Sequence, residues 1–440
     1  MVAAASALGP LSCPRCAGAL RSADGSLTCA SCSLVFPFVG AIPCLMEDPV
    51  LWRALWASRL EEYLALVTKR VFFSQQELAL PDRLPRTKQR IARLMAGLEA
   101  QQEKIAALLR PLSADALAVP PRPEARQSLA LLECYENIFR DWGWGSAEID
   151  RVRALIEPAF PDRVGTLAIY GAGAGRLAVD VHRSRKPERT YALDVNPLPL
   201  MVADALLRGE TVALPEMPVA PHRWEQGVIE HELRFAAGAG DGFQLLFADA
   251  LRPPLAPGTV DVVLTAWFID AVPADLRVTA AAINRVLRPE GLWINFGPLR
   301  FVGELSQQYS IEEVHELVGA ASFALQSTSR HDLPYFDSPY SGSRPVETAF
   351  SFSAKKTGDA SPRPVPGRVA PWIADPRLPI PMSPPLVALG EMSVFTASML
   401  NLVDGTRSMA DVADTLAGAW QMDPPVILAQ LRAFFAKLPE

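Results

Sequence analysis

The residues best able to do chemistry begin with three glycines and an acid. Thr166–Tyr170 (TLAIY) is a short apolar run of the kind buried in a parallel sheet. Gly171, Gly173 and Gly175 follow at once, where a tight turn and a close backbone approach to a ligand call for residues without a Cβ. Arg176 to His182 then begins a helix whose N-terminal N–H groups face that turn. Tyr191 to Leu193 reads as a second strand, and Asp194 sits at its C-terminal tip, where a carboxylate can hold a ribose diol. The elements required are thus strand, turn, helix, strand and acid, a nucleotide-binding half of an α/β fold.

A second group lies near the start. Cys13-Pro-Arg-Cys16 and Cys29-Ala-Ser-Cys32 are two C-x-x-C knuckles separated by twelve residues. Each offers two thiolates, and four complete a tetrahedral Zn²⁺ shell; two reducible disulfides are the alternative. Cys44, further on, reads as a small core residue. The histidines (His182, His222, His231, His315 and His331) have no metal-ligand spacing and read as structural or surface residues. Asn137 and Arg140 lie one helical turn apart and share a face, with Asp141 and Trp142 beside them.

Around these groups the chain divides into a cysteine ribbon (1–48), a helical region (49–150), an α/β domain (151–357), a proline-rich linker (358–384) and a helical tail (385–440). Apolar residues recur at three- and four-residue intervals from Pro49 to Leu112, and again in a helix from Ser128 to Pro158. After the glycine turn come a helix at Asn196–Glu210 and an irregular stretch through Asp241. Then follow a third strand at Phe243–Phe247, a fourth at Val260–Ala266, and a helix, an R-P-E-G turn and a fifth strand ending in GLWINFGPL. Strands alternating with helices predict a doubly wound α/β sheet with ligands at the strand C-terminal tips. Trp372 and Ile380 are candidates to pin the linker. In the tail, Gly405 closes one helix, Ser408 with Asp411 caps the next, and Asp423-Pro424 starts the last.

No run of about 18 apolar residues occurs, so no membrane span is expected. The opening MVAAASALGP lacks a basic n-region, which points to a cytoplasmic protein. A net charge of −6 argues against a broad nucleic-acid surface.

The G-x-G-x-G spacing resembles motif I of class I S-adenosylmethionine (SAM) methyltransferases more than the G-x-G-x-x-G of dinucleotide enzymes. Other motifs narrow the likeness: NIFRDW, GAGAGRLA, Trp267-Phe268-Ile269-Asp270, GLWINFGPL, YSIEEVHEL and the closing ETAFSFSAKK. In this order they resemble the carnosine N-methyltransferase family over most of residues 50 to 356.

That resemblance implies a class I Rossmann-like sheet and N-methylation of an imidazole nitrogen. Asn137 and Arg140 would reach the methionine end of SAM, with Arg140 on its carboxylate. Gly171, Gly173 and Gly175 would form the turn, Asp194 would bind the ribose, and Asp249 and Ala250 would meet the adenine. Ala266 would end the fourth strand against the cofactor. Asp270 would be the catalytic carboxylate, with Phe268, Tyr335 and Tyr340 lining the substrate; the alternative for Asp270 is a helix N-cap. The sequence departs from the family after GPL, where it reads Arg300-Phe301-Val302. It departs again before the last strand, where Arg344-Pro345-Val346 precede Glu347 in place of a tyrosine cluster.

The ribbon and its sequel LVFPFVGAIPCLMED resemble Trm112-like zinc ribbons, activating partners of methyltransferases. The tail pattern LVDGTRSMADVA resembles PqqD-like domains, which bind leader peptides of ribosomal peptide precursors; a helical cap or a homodimer contact is the alternative. The expected substrate is a small molecule or a peptide. An RNA base methyltransferase and a non-catalytic scaffold are the competing readings.

Overall fold

The computed structural model describes residues 9–23, 25–113, 131–301, 305–363, 394–404 and 406–435. Trp372, Ile380 and Gly405 lie outside them. The chain forms two compact units, 1–366 and 367–440.

The first unit is built on an eleven-stranded sheet. The expected α/β strands are β5 (Thr166–Tyr170), β6 (Arg189–Asp194), β9 (Phe243–Ala248), β10 (Val260–Ala266) and β11 (Leu287–Gly297). Two long strands, β12 (Phe323–Pro334) and β13 (Val346–Lys356), close the far edge. The order is β9-β6-β5-β10-β11-β13-β12. The pairs from β9 through β11 are parallel, and β13 runs antiparallel to both of its neighbours. This is the class I methyltransferase order, and it places the cofactor turn beside the point where the winding reverses. The R-P-E-G segment bulges within β11: Val260 pairs with Leu287 but Val262 with Leu292, and Glu290 takes a positive φ.

The ribbon strands β1 (Leu20–Ala23), β2 (Ser26–Cys29), β3 (Val35–Val39) and β4 (Ile42–Leu45) extend the other edge. β4 pairs in parallel with β9, setting Cys44 against Phe247 and Leu45 against Ala248. Leu20, Leu27 and Phe36 of the ribbon share one buried cluster with Tyr170, Leu193 and Leu246 of the sheet. Cys44 is fully buried, as its reading as a core residue requires.

Two long helices follow, α1 (Pro49–Ala79) and α2 (Pro85–Leu108). Asp48 caps α1 by accepting from the Leu51 amide at 2.9 Å, and Pro49 occupies the first turn, where its missing N–H costs nothing. Trp52, Trp56, Leu60, Tyr63, Val67 and Val71 recur at helical spacing on its buried face. Trp52 packs on Phe247 and donates to the Val195 carbonyl at 3.0 Å, so this helix braces the loop that follows Asp194.

The helix expected over Ser128–Pro158 is interrupted among the described residues. A short helix α3 (Tyr135–Phe139) runs into a π turn (Arg140–Trp144), and α4 (Ser146–Ile156) starts afresh. Gly145 allows this closure: its amide reaches the Arg140 carbonyl at 2.9 Å, and a Cβ there would collide with that carbonyl. The stretch expected to be irregular holds a hairpin, β7 (Val212–Glu216) with β8 (Ile229–Leu233), packed on α2 through Arg93 and Gly97.

The helices around the sheet are α5 (Arg176–Arg185), α6 (Pro197–Leu207), α7 (Leu276–Val286) and α8 (Ile311–Ala320). In the second unit α9 (Met409–Trp420) carries the Ser408–Asp411 capping box, and α10 starts at Pro424 (Pro424–Phe435). Met399, Val412, Leu416, Ile427 and Leu431 form its own core. Among the described residues no helix is long and apolar enough to cross a membrane.

Candidate functional site

The glycine turn has the backbone that its residues predict. Gly171, Gly173 and Gly175 take φ of +67°, +56° and +85°, in the left-handed region. Asp194, at the tip of β6, accepts from the Gly173 amide at 2.8 Å and from the Asn196 amide at 2.9 Å. Asn196 in turn caps α6, accepting from Leu198 at 3.1 Å, and its Nδ2 is buried without a partner among the described residues. A Cβ on Gly173 would meet nothing nearer than Asn137 Nδ2 at 3.9 Å, so open space borders this turn. Asp249 is buried at the end of β9 and orders the following turn by accepting from Leu251 at 3.0 Å, with buried Ala250 between them. Donors, open space beside Gly173 and carboxylates at two strand tips fit a nucleoside carrying a diol and an amine.

Arg140 pairs with acids of its own chain. It is buried, its Nε and Nη2 reach Asp141 Oδ1 at 2.9 and 2.8 Å, and Nη1 lies 3.8 Å from Glu148. The guanidinium is already held by two acids of this chain, while Asn137 faces the turn.

Beyond the turn lies an aromatic corner. Phe268 covers Gly171 so closely that a Cβ would enter its ring. Trp267 has φ +55°, an outlying conformation for a bulky residue, held by its amide donating to the Phe296 carbonyl at 2.7 Å. Its ring stacks on Tyr335, centroids 4.3 Å apart. Burial pushes the Tyr335 phenol up to about 12, so it stays protonated. Ala266 lies at the tip of β10 immediately before this corner.

Asp270 is buried in the same loop and accepts from the Arg300 amide at 2.9 Å. Burial above all raises its pKa; the Arg300 amide opposes this, and the nearby Glu347 carboxylate adds to it. Arg300 reaches Glu347 at 2.5 Å from a largely exposed position. The helix-cap alternative for Asp270 fails, because Asp275 caps α7 by accepting from Arg277 at 2.8 Å. Tyr340 does not join the corner; it packs edge-on against His231.

Sequence reasoning missed four residues around the site. Trp267 was read only as part of a motif, and nothing in one sequence signals a positive φ. Glu148 belongs to no motif that would single it out. Glu216 and His231 pair at 2.6 Å across the hairpin, with Trp144 and Ser338 also donating to Glu216, and that hairpin itself was not anticipated. His182 is structural as expected, bonded to Thr190 and to the Asp241 carbonyl.

The four cysteine sulfurs of the ribbon lie within 4.8 Å of one another. Cys13 and Cys32 are 3.7 Å apart and Cys16 and Cys29 3.4 Å, far beyond a disulfide bond and close to the edges of a tetrahedral thiolate shell. Burial raises the Cys29 thiol, but the amides of Cys32 and Ser31 more than offset this and draw it down to about 6. The cluster can hold a metal ion.

Residues 228–353 match the model of a family described as carnosine N-methyltransferase. No curated protein matches the chain. Among solved structures the chain is similar to Haemonchus contortus phosphoethanolamine N-methyltransferase 2 in complex with phosphomonomethylethanolamine and S-adenosylhomocysteine. The identity is 14% and the TM-score 0.35, over 52% of this chain and 60% of that one, so the chain spans about three fifths of that relative. It is similar to the [4+2]-cyclase SpnF at 14% identity and TM-score 0.36, over 54% and 98% of the two chains. It is also similar to a chain in the complex of the Haloferax volcanii Trm112 methyltransferase activator with a methyltransferase. There the identity is 15% and the TM-score 0.34, over 52% and 96%. The family match over residues 228–353, the strand order and the glycine turn agree on a Rossmann-like fold of the kind SAM-dependent methyltransferases use.

Proposed function

We propose that the protein transfers a methyl group from SAM to an imidazole-type nitrogen of a histidine derivative or a histidine-containing peptide. The observation that carries this reading is Asp270: a buried carboxylate beside the Trp267–Tyr335 wall, two residues from the Phe268 ring that covers Gly171. SAM supplies an electrophilic methyl when bound, and Asp194, Asp249, Asn137 and the glycine turn are the residues to hold it. A neutral imidazole, with a reference pKa of about 6.5, offers one lone pair and one N–H at neutral pH. Asp270 accepts that N–H, which fixes the tautomer and points the other nitrogen away from the carboxylate. Trp267 and Tyr335 exclude water and orient the ring, and in-line transfer then needs proximity rather than a strong base.

Zinc is the metal that four clustered thiolates suit best. The ribbon would serve as an activator built into the same chain, and the tail, with its separate core, would hold a peptide acceptor. The test is incubation of the purified protein with methyl-labelled SAM and, separately, imidazole, histidine, histidine peptides and RNA. Label on an imidazole nitrogen supports the reading. Label on RNA alone, or on none of them, overturns it.

A further inference from the structure

The buried arginine of the π turn connects two parts of the site that the sequence keeps far apart. On one side, Asp141 Oδ2 accepts from the Arg176 amide at 3.3 Å, at the start of α5 just behind the glycine turn. On the other, Glu148 Oε2 accepts from the Phe336 amide at 3.0 Å, and the Asp337 amide also favours its charged form. Arg140 stands between the two acids and also lies 5.1 Å over the Phe336 ring. Phe336 takes φ +53°, and its ring is in edge contact with Tyr335, the residue stacked on Trp267.

A loop residue with that backbone does not hold its place unaided. Its amide needs an acceptor, and the only acid on α4 that reaches it is Glu148 among the described residues. Burial raises the Glu148 pKa on balance, and Arg140 and the Phe336 and Asp337 amides offset part of that rise. The geometry keeps a carboxylate oxygen pointed at one amide of the aromatic corner, with Arg140 beside it.

We propose that Glu148 is the positioning residue of the acceptor wall: it holds the Phe336 amide, with the Phe336 ring under Arg140, and so fixes Tyr335 over Trp267. This rests on that corner being where the methyl acceptor lies. Its ring faces need a set separation and tilt, and a loop free to relax would leave the acceptor misaligned. Glu148→Ala removes the acceptor, whereas Glu148→Gln keeps an amide oxygen that can take the same N–H but gives up the charge facing Arg140.

The experiment is hydrogen exchange at the Phe336 amide in the full-length protein, with calorimetric titration of S-adenosylhomocysteine and then of imidazole into the loaded protein. Glu148→Ala should speed exchange at Phe336 at least tenfold and weaken imidazole about tenfold, while S-adenosylhomocysteine affinity stays within twofold. Glu148→Gln should recover most of the protection. Unchanged exchange in Glu148→Ala overturns the proposal, as does an equal loss of both affinities, which would make Glu148 a general support of the fold. If imidazole does not bind the unaltered protein, the acceptor reading fails instead, and exchange at Phe336 still decides whether Glu148 holds the loop.

Discussion

The Gly173 amide and the Asp194 carboxylate meet at 2.8 Å, so the turn after the first parallel strand and the acid at the tip of the second form one device. The second carboxylate oxygen takes the Asn196 amide, and Trp52 of the N-terminal helix bonds the next carbonyl. Asp194 therefore shapes the cradle as well as offering it charge.

Asp194→Ala should lower S-adenosylhomocysteine affinity by about ten- to a hundredfold, since a hydrogen bond to a charged group contributes about 1.5–3 kcal/mol. Asp194→Asn, which can still accept from Gly173, should lose less. Calorimetry reads both, and an Asp194→Ala protein that binds like the unaltered one removes this residue from the site.

Gly171→Ala and Gly173→Ala should fail in different ways. Both pay the left-handed penalty of about 1–2 kcal/mol. Only at Gly171 does the added carbon enter an occupied volume, the Phe268 ring, which should raise the loss to about 2–4 kcal/mol in denaturant unfolding. At Gly173 the added methyl points into open space, so the larger effect should be on S-adenosylhomocysteine affinity, at least tenfold. Matching stability losses with unaltered affinity in Gly173→Ala would refute this division.

Metal removal should be felt in the sheet. Because β4 pairs with β9 one residue short of Asp249, the ribbon supports the strand tip expected to meet the adenine. The purified protein should contain about one zinc per chain. Chelation, or Cys13→Ser with Cys16→Ser, should lower the melting temperature of the first unit and weaken S-adenosylhomocysteine binding. Elemental analysis and a thermal scan give the answer; a chelated protein that melts unchanged would show the cysteines to be idle.

The parts of this site that could be read in the sequence are those whose chemistry is local. Gly171 to Asp194 forms one continuous unit with fixed spacing, and the C-x-x-C pairs carry their own geometry. What stayed hidden depends on contacts across the fold. The pairing of Arg140 with Asp141 and Glu148 is one such contact: Glu148 lies beyond a π turn that Gly145 makes possible. The Glu216–His231 hairpin escaped because LPE and IEHEL carry too few alternating apolar residues to register as strands. Tyr335 and Tyr340 looked equivalent, and only the path of the loop puts one on Trp267 and the other on His231.

Asp270 should trade stability for turnover. Its folded pKa is raised, chiefly by burial, so the ionised form is disfavoured in the folded protein. A raised carboxylate favours the fold below its ordinary value, and that benefit is lost as pH rises from the ordinary aspartate value of 3.8 through the folded value. At neutral pH the charge therefore works against folding. Asp270→Asn, whose amide oxygen can still accept from Arg300, should unfold at an equal or higher temperature at pH 8, an advantage that fades at the acid end. Turnover on an imidazole acceptor should nevertheless fall by about a hundredfold, with S-adenosylhomocysteine affinity within twofold. In the unaltered protein the rate should also drop below about pH 6.5, where the acceptor itself takes up a proton, and further as Asp270 is protonated. A thermal scan at two pH values, paired with a pH–rate profile, tests both halves. An Asp270→Asn enzyme with full turnover, or one less stable at pH 8 than the unaltered protein, would remove Asp270 from the chemistry.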